Sequence, residues 1–146
     1  MTSSGLSGIT AGSSGISTVG QAGIGLTYRG YSITDLAAHA TFEEVAYLLI
    51  YGKLPDQKQL DAYKKKLTGL RSLPDSFKAS LEALPSSTHP MDVLRTGTSL
   101  LGTLEAEGED GRTAASVGDR LTASFGSMLS YWYRFHSRNE RIYTDS

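Results

Sequence analysis

The sequence contains no cysteine among its 146 residues, so disulfide bridges, thiol nucleophiles and thiolate metal sites are excluded outright. It also carries almost no net charge: 14 Lys and Arg stand against 15 Asp and Glu, for a formal charge of -1. No basic field exists to hold nucleic acid through its phosphates, and no acidic tail exists to act as a solvating segment. Long apolar runs are missing as well. They are as short as Leu48-Leu49-Ile50-Tyr51, far below the roughly 20 apolar residues a membrane helix needs. The first 20 residues hold no Lys or Arg and no continuous hydrophobic segment, so they do not read as a secretory leader or an organelle transit peptide. These absences predict a cytoplasmic protein with neither membrane nor nucleic-acid partners. The length is enough for one domain with a sizeable core.

Motifs that carry chemistry are equally scarce. Gly20, Gly23 and Gly25 do not follow the G-x-G-x-x-G dinucleotide pattern, and neither a Walker phosphate loop nor a G-x-S-x-G nucleophile elbow is present. The three histidines, His39, His89 and His136, have no spacing that suits metal ligation. No metal site and no complete catalytic set can be assembled from these residues.

What the chain does have is an uneven distribution of glycine and a regular succession of helix signals. Eight of the 16 glycines lie in the first 30 residues. Within that segment, Ile16-Ser-Thr-Val19 and Ile24-Gly-Leu-Thr-Tyr28 are short β-prone runs separated by Gly20-Gln-Ala-Gly23, which predicts a small hairpin. Residues 1–31 are therefore read as a tail and β-hairpin, and residues 32–146 as a helical portion. Thr41 with Glu44 forms a capping-box pattern ahead of an apolar run that stops at Gly52. Pro55-Asp56, Leu73-Pro74-Asp75 and His89-Pro90 open further helices. The stretch Glu105 to Arg112 reads as a solvated loop. The longest helix is expected over Thr113 to Arg138, with Val117, Leu121, Phe125, Met128, Trp132 and Phe135 as one apolar stripe.

Several residues allow two readings. His89, at a helix start, could meet an anion beside exposed N–H groups or simply cap the helix. His39 stands near a helix end, where it would face terminal carbonyls, and His136 reads as surface. Lys64, Lys65 and Lys66, with Arg71, form either an anion-attracting patch or a solvated helix face. Arg29, in Tyr28-Arg-Gly-Tyr31, is either a site residue or a bridge from the hairpin to the helices. The stripe ending in Trp132 and Phe135 faces a cofactor, the core or another subunit.

Three ordered blocks add what the motifs lack. Gly25-Leu-Thr-Tyr-Arg-Gly-Tyr-Ser-Ile-Thr-Asp-Leu-Ala37, Thr41-Phe-Glu-Glu-Val-Ala-Tyr-Leu-Leu-Ile-Tyr-Gly-Lys-Leu-Pro55 and His89-Pro-Met-Asp-Val-Leu-Arg-Thr-Gly97 resemble the N-terminal region of the citrate synthase family. With Ser130-Tyr-Trp-Tyr133 they are most similar to its 2-methylcitrate synthase branch. The resemblance implies a mainly α fold: the N-terminal helices of the family's large domain behind a short β-hairpin, without the small domain. It implies an enzyme that condenses an acyl-CoA with oxaloacetate as a homodimer, with no permanently bound cofactor and no metal. In the family an aspartate removes the acyl-CoA proton, one histidine stabilises the enol and another acts on the oxaloacetate carbonyl, which is general acid–base catalysis. Those residues belong to the family's later segments, so no catalytic residue is expected in this chain, which should be inactive alone. Lys66 is the one substrate-binding candidate the resemblance implies. The alternative is a separately encoded helical interaction subunit that completes a larger synthase chain through the Val117–Phe135 stripe.

Overall fold

A computed structural model describes residues 14–18 and 25–143. The expected turn at Gly20-Gln-Ala-Gly23 and most of the glycine-rich tail lie outside the described residues. The chain divides into two compact units, Met1–Leu54 and Pro55–Ser146, and each is described by itself.

In the first unit, strands β1 (Ser17–Thr18), β2 (Thr27–Tyr28) and β3 (Tyr31–Ser32) form an antiparallel sheet in sequence order. Ser17 pairs with Tyr28, and Tyr28 with Tyr31. The β1–β2 pairing is the expected hairpin. The third strand was not foreseen, although its signal is local. Arg29 and Gly30 make a two-residue turn with φ of 49° and 87°, the double positive φ of a type I′ hairpin. An arginine in that region is disfavoured by its Cβ. It is held there by its own N–H, which donates to the Ile16 carbonyl at 2.7 Å, and by its guanidinium. Nη2 donates to the Leu49 carbonyl at 3.0 Å and Nη1 to the Gly15 carbonyl at 3.4 Å. Leu49 lies in the last turn of α2 (Phe42–Tyr51), where the helix presents the negative end of its dipole. Arg29 is thus the bridge between hairpin and helix. The helix α1 (Ile33–His39) precedes α2, and His39 is its exposed last residue. The Thr41–Glu44 capping box forms as expected, and Gly52 ends α2 at φ 83°, a left-handed cap that glycine adopts without steric cost.

The second unit holds four helices: α3 (Gln57–Gly69), α4 (Asp75–Glu82), α5 (Pro90–Leu104) and α6 (Ala114–Arg138). Each opens on the residues its sequence predicts. Asp56 and Gln59 form a capping box for α3, and Thr113 and Ser116 form one for α6. Pro74 precedes α4, and His89 caps α5 by accepting from the Met91 N–H at 3.2 Å through Nδ1. Helix α6, at 25 residues, is the spine on which α3, α4 and α5 pack. The core comprises Leu73, Phe77, Leu81, Val93, Leu101, Met128, Tyr131 and Trp132.

The buried face of α6 is not the expected stripe. Met128 and Trp132 are buried, but Phe125 is 37% exposed and the fully covered residues include Asp119, Ser124 and Tyr131. Apolar periodicity missed this because polar groups are tolerated inside when paired. Ser124 donates back to the Arg120 carbonyl at 2.7 Å, Asp119 receives two donors described below, and Tyr131 has a carboxylate partner.

Gly97 of α5 packs tightly against α4 and α6: an added Cβ there would stand 3.0 Å from Met128 Sδ and 3.2 Å from Phe77 Cζ. Gly102, one turn further along α5, would meet nothing within 4 Å. Gly97→Val should therefore destabilise the domain by about 2 kcal/mol through overpacking. Gly102→Ala should instead add up to about 1 kcal/mol of helix stability. Urea unfolding of both variants checks the contrast.

Candidate functional site

The helices α3, α5 and α6 and the segment joining the last two enclose a cleft of about 580 Å³, lined in part by Lys66, Leu101, Glu105, Arg112, Val117 and Arg120. Its charged groups come from α3 (Lys66), from α6 (Arg120) and from the segment joining α5 to α6 (Glu105, Glu107 and Arg112).

Tyr63 and Lys66, three residues apart on α3, share one face. Both reach Asp119 on α6. The Tyr63 hydroxyl donates to Asp119 Oδ1 at 2.9 Å, and the Lys66 ammonium donates to Oδ2. Asp119 is completely buried, whereas the Lys66 side chain is 44% exposed. The lysine run is therefore divided: Lys64 and Lys65 are on the solvated face, and Lys66 turns inward.

Arg120, the next residue on α6, collects two helix ends. Its Nε and Nη2 donate to Glu105 Oε2 and Oε1, each at 2.9 Å, a bidentate fork. Its Nη1 donates to the Leu70 carbonyl. Glu105 is the residue that caps the end of α5, and Leu70 does the same for α3, so one guanidinium sits at the negative ends of two helix dipoles. The Arg120 hydrogen bonds hold the Glu105 carboxyl below its usual range, against the opposing effect of burial, with the charges of Arg120 and Arg112 adding to the shift.

The expectation of a solvated loop over Glu105 to Arg112 holds for residues 107–111, which are exposed, but not for the two ends of the segment. The Glu105 side chain is only 20% exposed, Glu109–Gly111 forms a 3-10 turn, and Arg112 lines the cleft. The reason lies outside the segment, in the buried arginine of α6 that draws Glu105 inward.

A second cluster ties the residues after α6 to α4. Glu82 accepts from the Tyr131 hydroxyl at 2.7 Å and from Arg141 Nε and Nη2 at 2.7 and 2.8 Å. The Arg141 and Tyr131 hydrogen bonds lower the Glu82 carboxyl to about 2. Burial, with the Glu82 contact next, raises the Tyr131 hydroxyl to about 12. His136 is not the surface residue expected of it. It is half-buried, with its ring 5.5 Å from Trp132 and 5.2 Å from Phe135. Position in the last turn of a polar-ended helix suggested solvent, but the aromatic neighbours one and four residues before it cover the ring.

Among the described residues no group of three His, Asp or Glu side chains could hold a metal ion, and no helix is long and apolar enough to cross a membrane. Within the second unit, His89 caps α5 and His136 packs on Trp132 and Phe135, so the two serve different ends. Asp119, Arg120, Glu105 and Tyr63 were missed by reading the sequence. The one signal for them was the charged pair Asp119-Arg120 between Val117 and Leu121 on a helix face otherwise destined for packing.

Fold and site together define a mainly α protein whose second unit joins its helices by inward-facing ion pairs around a ligand-sized cleft. The chain belongs to the citrate synthase family: the family model described as "Citrate synthase, C-terminal domain" matches residues 5–146. It is 53% identical over all 146 residues to the 2-methylcitrate synthase of Shewanella oneidensis, of which it covers 39%. It is 36% identical over 143 residues to 2-methylcitrate synthase 1 of Corynebacterium glutamicum, covering 38% of that protein. Among solved structures, the citrate synthase of Thermotoga maritima superposes with a TM-score of 0.79 at 33% identity, over 97% of this chain and 37% of that one. The chain thus spans about two-fifths of the length of the relatives it matches.

Proposed function

We propose that the chain is the N-terminal part of an acyl-CoA:oxaloacetate condensing enzyme. The particular activity is that of a 2-methylcitrate synthase, which converts propionyl-CoA, oxaloacetate and water to 2-methylcitrate and CoA. The observation that carries this reading is the 53% identity with a 2-methylcitrate synthase along the entire chain. The three ordered blocks support the N-terminal placement. Acetyl-CoA would serve as a second substrate, because one methylene in a pocket changes discrimination by only about 1–3 kcal/mol. The intact enzyme would be a cytoplasmic homodimer without a resident metal or cofactor.

In this reading the chain contributes scaffold and one substrate contact, Lys66, whose partly exposed side chain lines the cleft. The three histidines are engaged elsewhere: one caps α5, one packs on aromatic rings and one ends α1. The groups that remove the acyl-CoA proton and act on the oxaloacetate carbonyl would be supplied by the rest of the intact enzyme, so the isolated chain should be inactive. A thiol-release assay with propionyl-CoA and oxaloacetate tests both statements. The intact enzyme should turn over and the pure 146-residue chain should not. Turnover by the chain alone would refute the assignment of the active site, and an intact enzyme silent with both acyl-CoAs would refute the activity.

A further inference from the structure

We propose that Asp110-Gly111 is a site of covalent backbone modification, where the aspartate converts to isoaspartate in the folded enzyme. Asp-Gly occurs once in the sequence, in the exposed stretch 107–111 between α5 and α6. The step is an intramolecular ring closure followed by hydrolysis. The Gly111 amide nitrogen attacks Asp110 Cγ, and the new N–Cγ bond closes a succinimide ring. The carboxyl hydroxyl leaves with the amide proton as one water. Water then adds back at one of the two imide carbonyls. Breaking the N–Cγ bond restores aspartate, whereas breaking the original peptide C–N bond leaves the main chain running through the β-carboxyl. The product has the mass of the parent and one more carbon in its backbone, and water is the sole co-reactant.

Three features single out this position. The Asp110 side chain is 88% exposed, and its ion pair to Arg112 Nη1 spans 4.0 Å, too weak a contact to tie the carboxyl down. Asp110 stands at φ 51° and ψ 27°, a left-handed conformation that its Cβ disfavours, so the turn gives up little when it rearranges. Gly111 has no side chain to obstruct its nitrogen. The other described aspartates lack this combination. Asp35, Asp61, Asp75 and Asp92 are held in helices, Asp56 is engaged in its capping box, and Asp119 is fully buried. The modification also has a structural consequence. The Gly108 N–H donates to the Arg112 carbonyl and the Arg112 N–H to the Glu109 carbonyl, each at 2.9 Å, which closes the turn around the reacting bond. A backbone carbon added inside that turn takes both hydrogen bonds out of register and opens it beside Arg112.

The experiment ages the intact enzyme at neutral pH and body temperature and maps its peptides by mass spectrometry, with fragmentation that distinguishes isoaspartate from aspartate. Isoaspartate should accumulate at Asp110 ahead of every other aspartate in this chain. Asp110→Glu, in which the same closure would need a larger ring, should lose the signal with an unchanged melting temperature, because the side chain is exposed. Limited trypsin cleavage after Arg112 should be faster in aged than in fresh parent and should not change with age in Asp110→Glu. Isoaspartate that is absent from the folded enzyme, or that forms at Asp110 only after denaturation, overturns the proposal. Cleavage of the parent that does not change with age overturns the opening of the turn. Neither readout is turnover, so these outcomes are independent of whether the enzyme condenses propionyl-CoA with oxaloacetate.

Discussion

Lys66→Ala should destabilise the protein by about 3 kcal/mol, the effect of stranding a buried charge whose partner has been removed. Asp119 has no exposed surface, and its two described donors are the Tyr63 hydroxyl and the Lys66 ammonium. Without Lys66 the carboxylate is left in a poorly hydrated site with one fewer donor, which is costly. Water can enter through the space Lys66 occupies at the cleft, because that side chain is 44% exposed. This relief keeps the expected effect near the lower end for broken buried pairs.

The reverse change is not equivalent. Asp119→Asn retains an acceptor for Tyr63 and leaves a lysine that water can hydrate, so its cost should be nearer about 1 kcal/mol. The double variant should then be more stable than Lys66→Ala alone, because no buried charge remains in it. Urea unfolding of the four proteins measures the coupling directly. Equal costs for the two single changes would refute the asymmetry, and strict additivity in the double would show that the pair is not electrostatically joined. The same double variant separates stability from substrate contact. It lacks the ammonium but keeps the fold, so an unchanged KM for both substrates in the intact enzyme would remove Lys66 from the binding site.

The helical architecture was legible because its start and stop signals are local. Thr41–Glu44, Asp56–Gln59 and Gly52 act within one turn of the backbone they cap, and all four prolines fall in or beside helix boundaries. The hairpin was legible for the same reason, although the Arg29-Gly30 turn into β3 was hidden by an arginine in a conformation usually left to glycine or asparagine. The site was not legible, since its interactions join residues far apart in sequence. Lys66 meets Asp119 across 53 positions and Arg120 meets Leu70 across 50. Composition showed a balanced charge but could not show that part of it is folded inward. The α6 stripe failed through the same ion pairs and hydrogen bonds, which allow Asp119, Ser124 and Tyr131 to occupy positions that periodicity reserves for apolar groups.

Arg120→Ala should be comparably damaging, at about 3 kcal/mol, because it leaves Glu105 and a helix-end carbonyl without their donor. The two side chains are 12% and 20% exposed, so solvent replaces little of what is lost. Arg120→Lys keeps the charge but cannot serve both Glu105 oxygens and the Leu70 carbonyl in one plane, and should recover only a minor part of the loss. Acid provides an independent check. The folded-state pKa of Glu105 is depressed, so the stability it contributes is present above its ordinary value of 4.5 and is lost as pH falls below that value towards the folded one. Glu82, lowered to about 2, follows the same sign and keeps its partners in the variant. Denaturation between neutral and acidic pH should therefore show a shallower acid-side decline in Arg120→Ala than in the parent, with the remaining slope due in part to Glu82. An undiminished slope would mean that Arg120 acts on the packing of α3 and α5 alone and not through the Glu105 carboxylate.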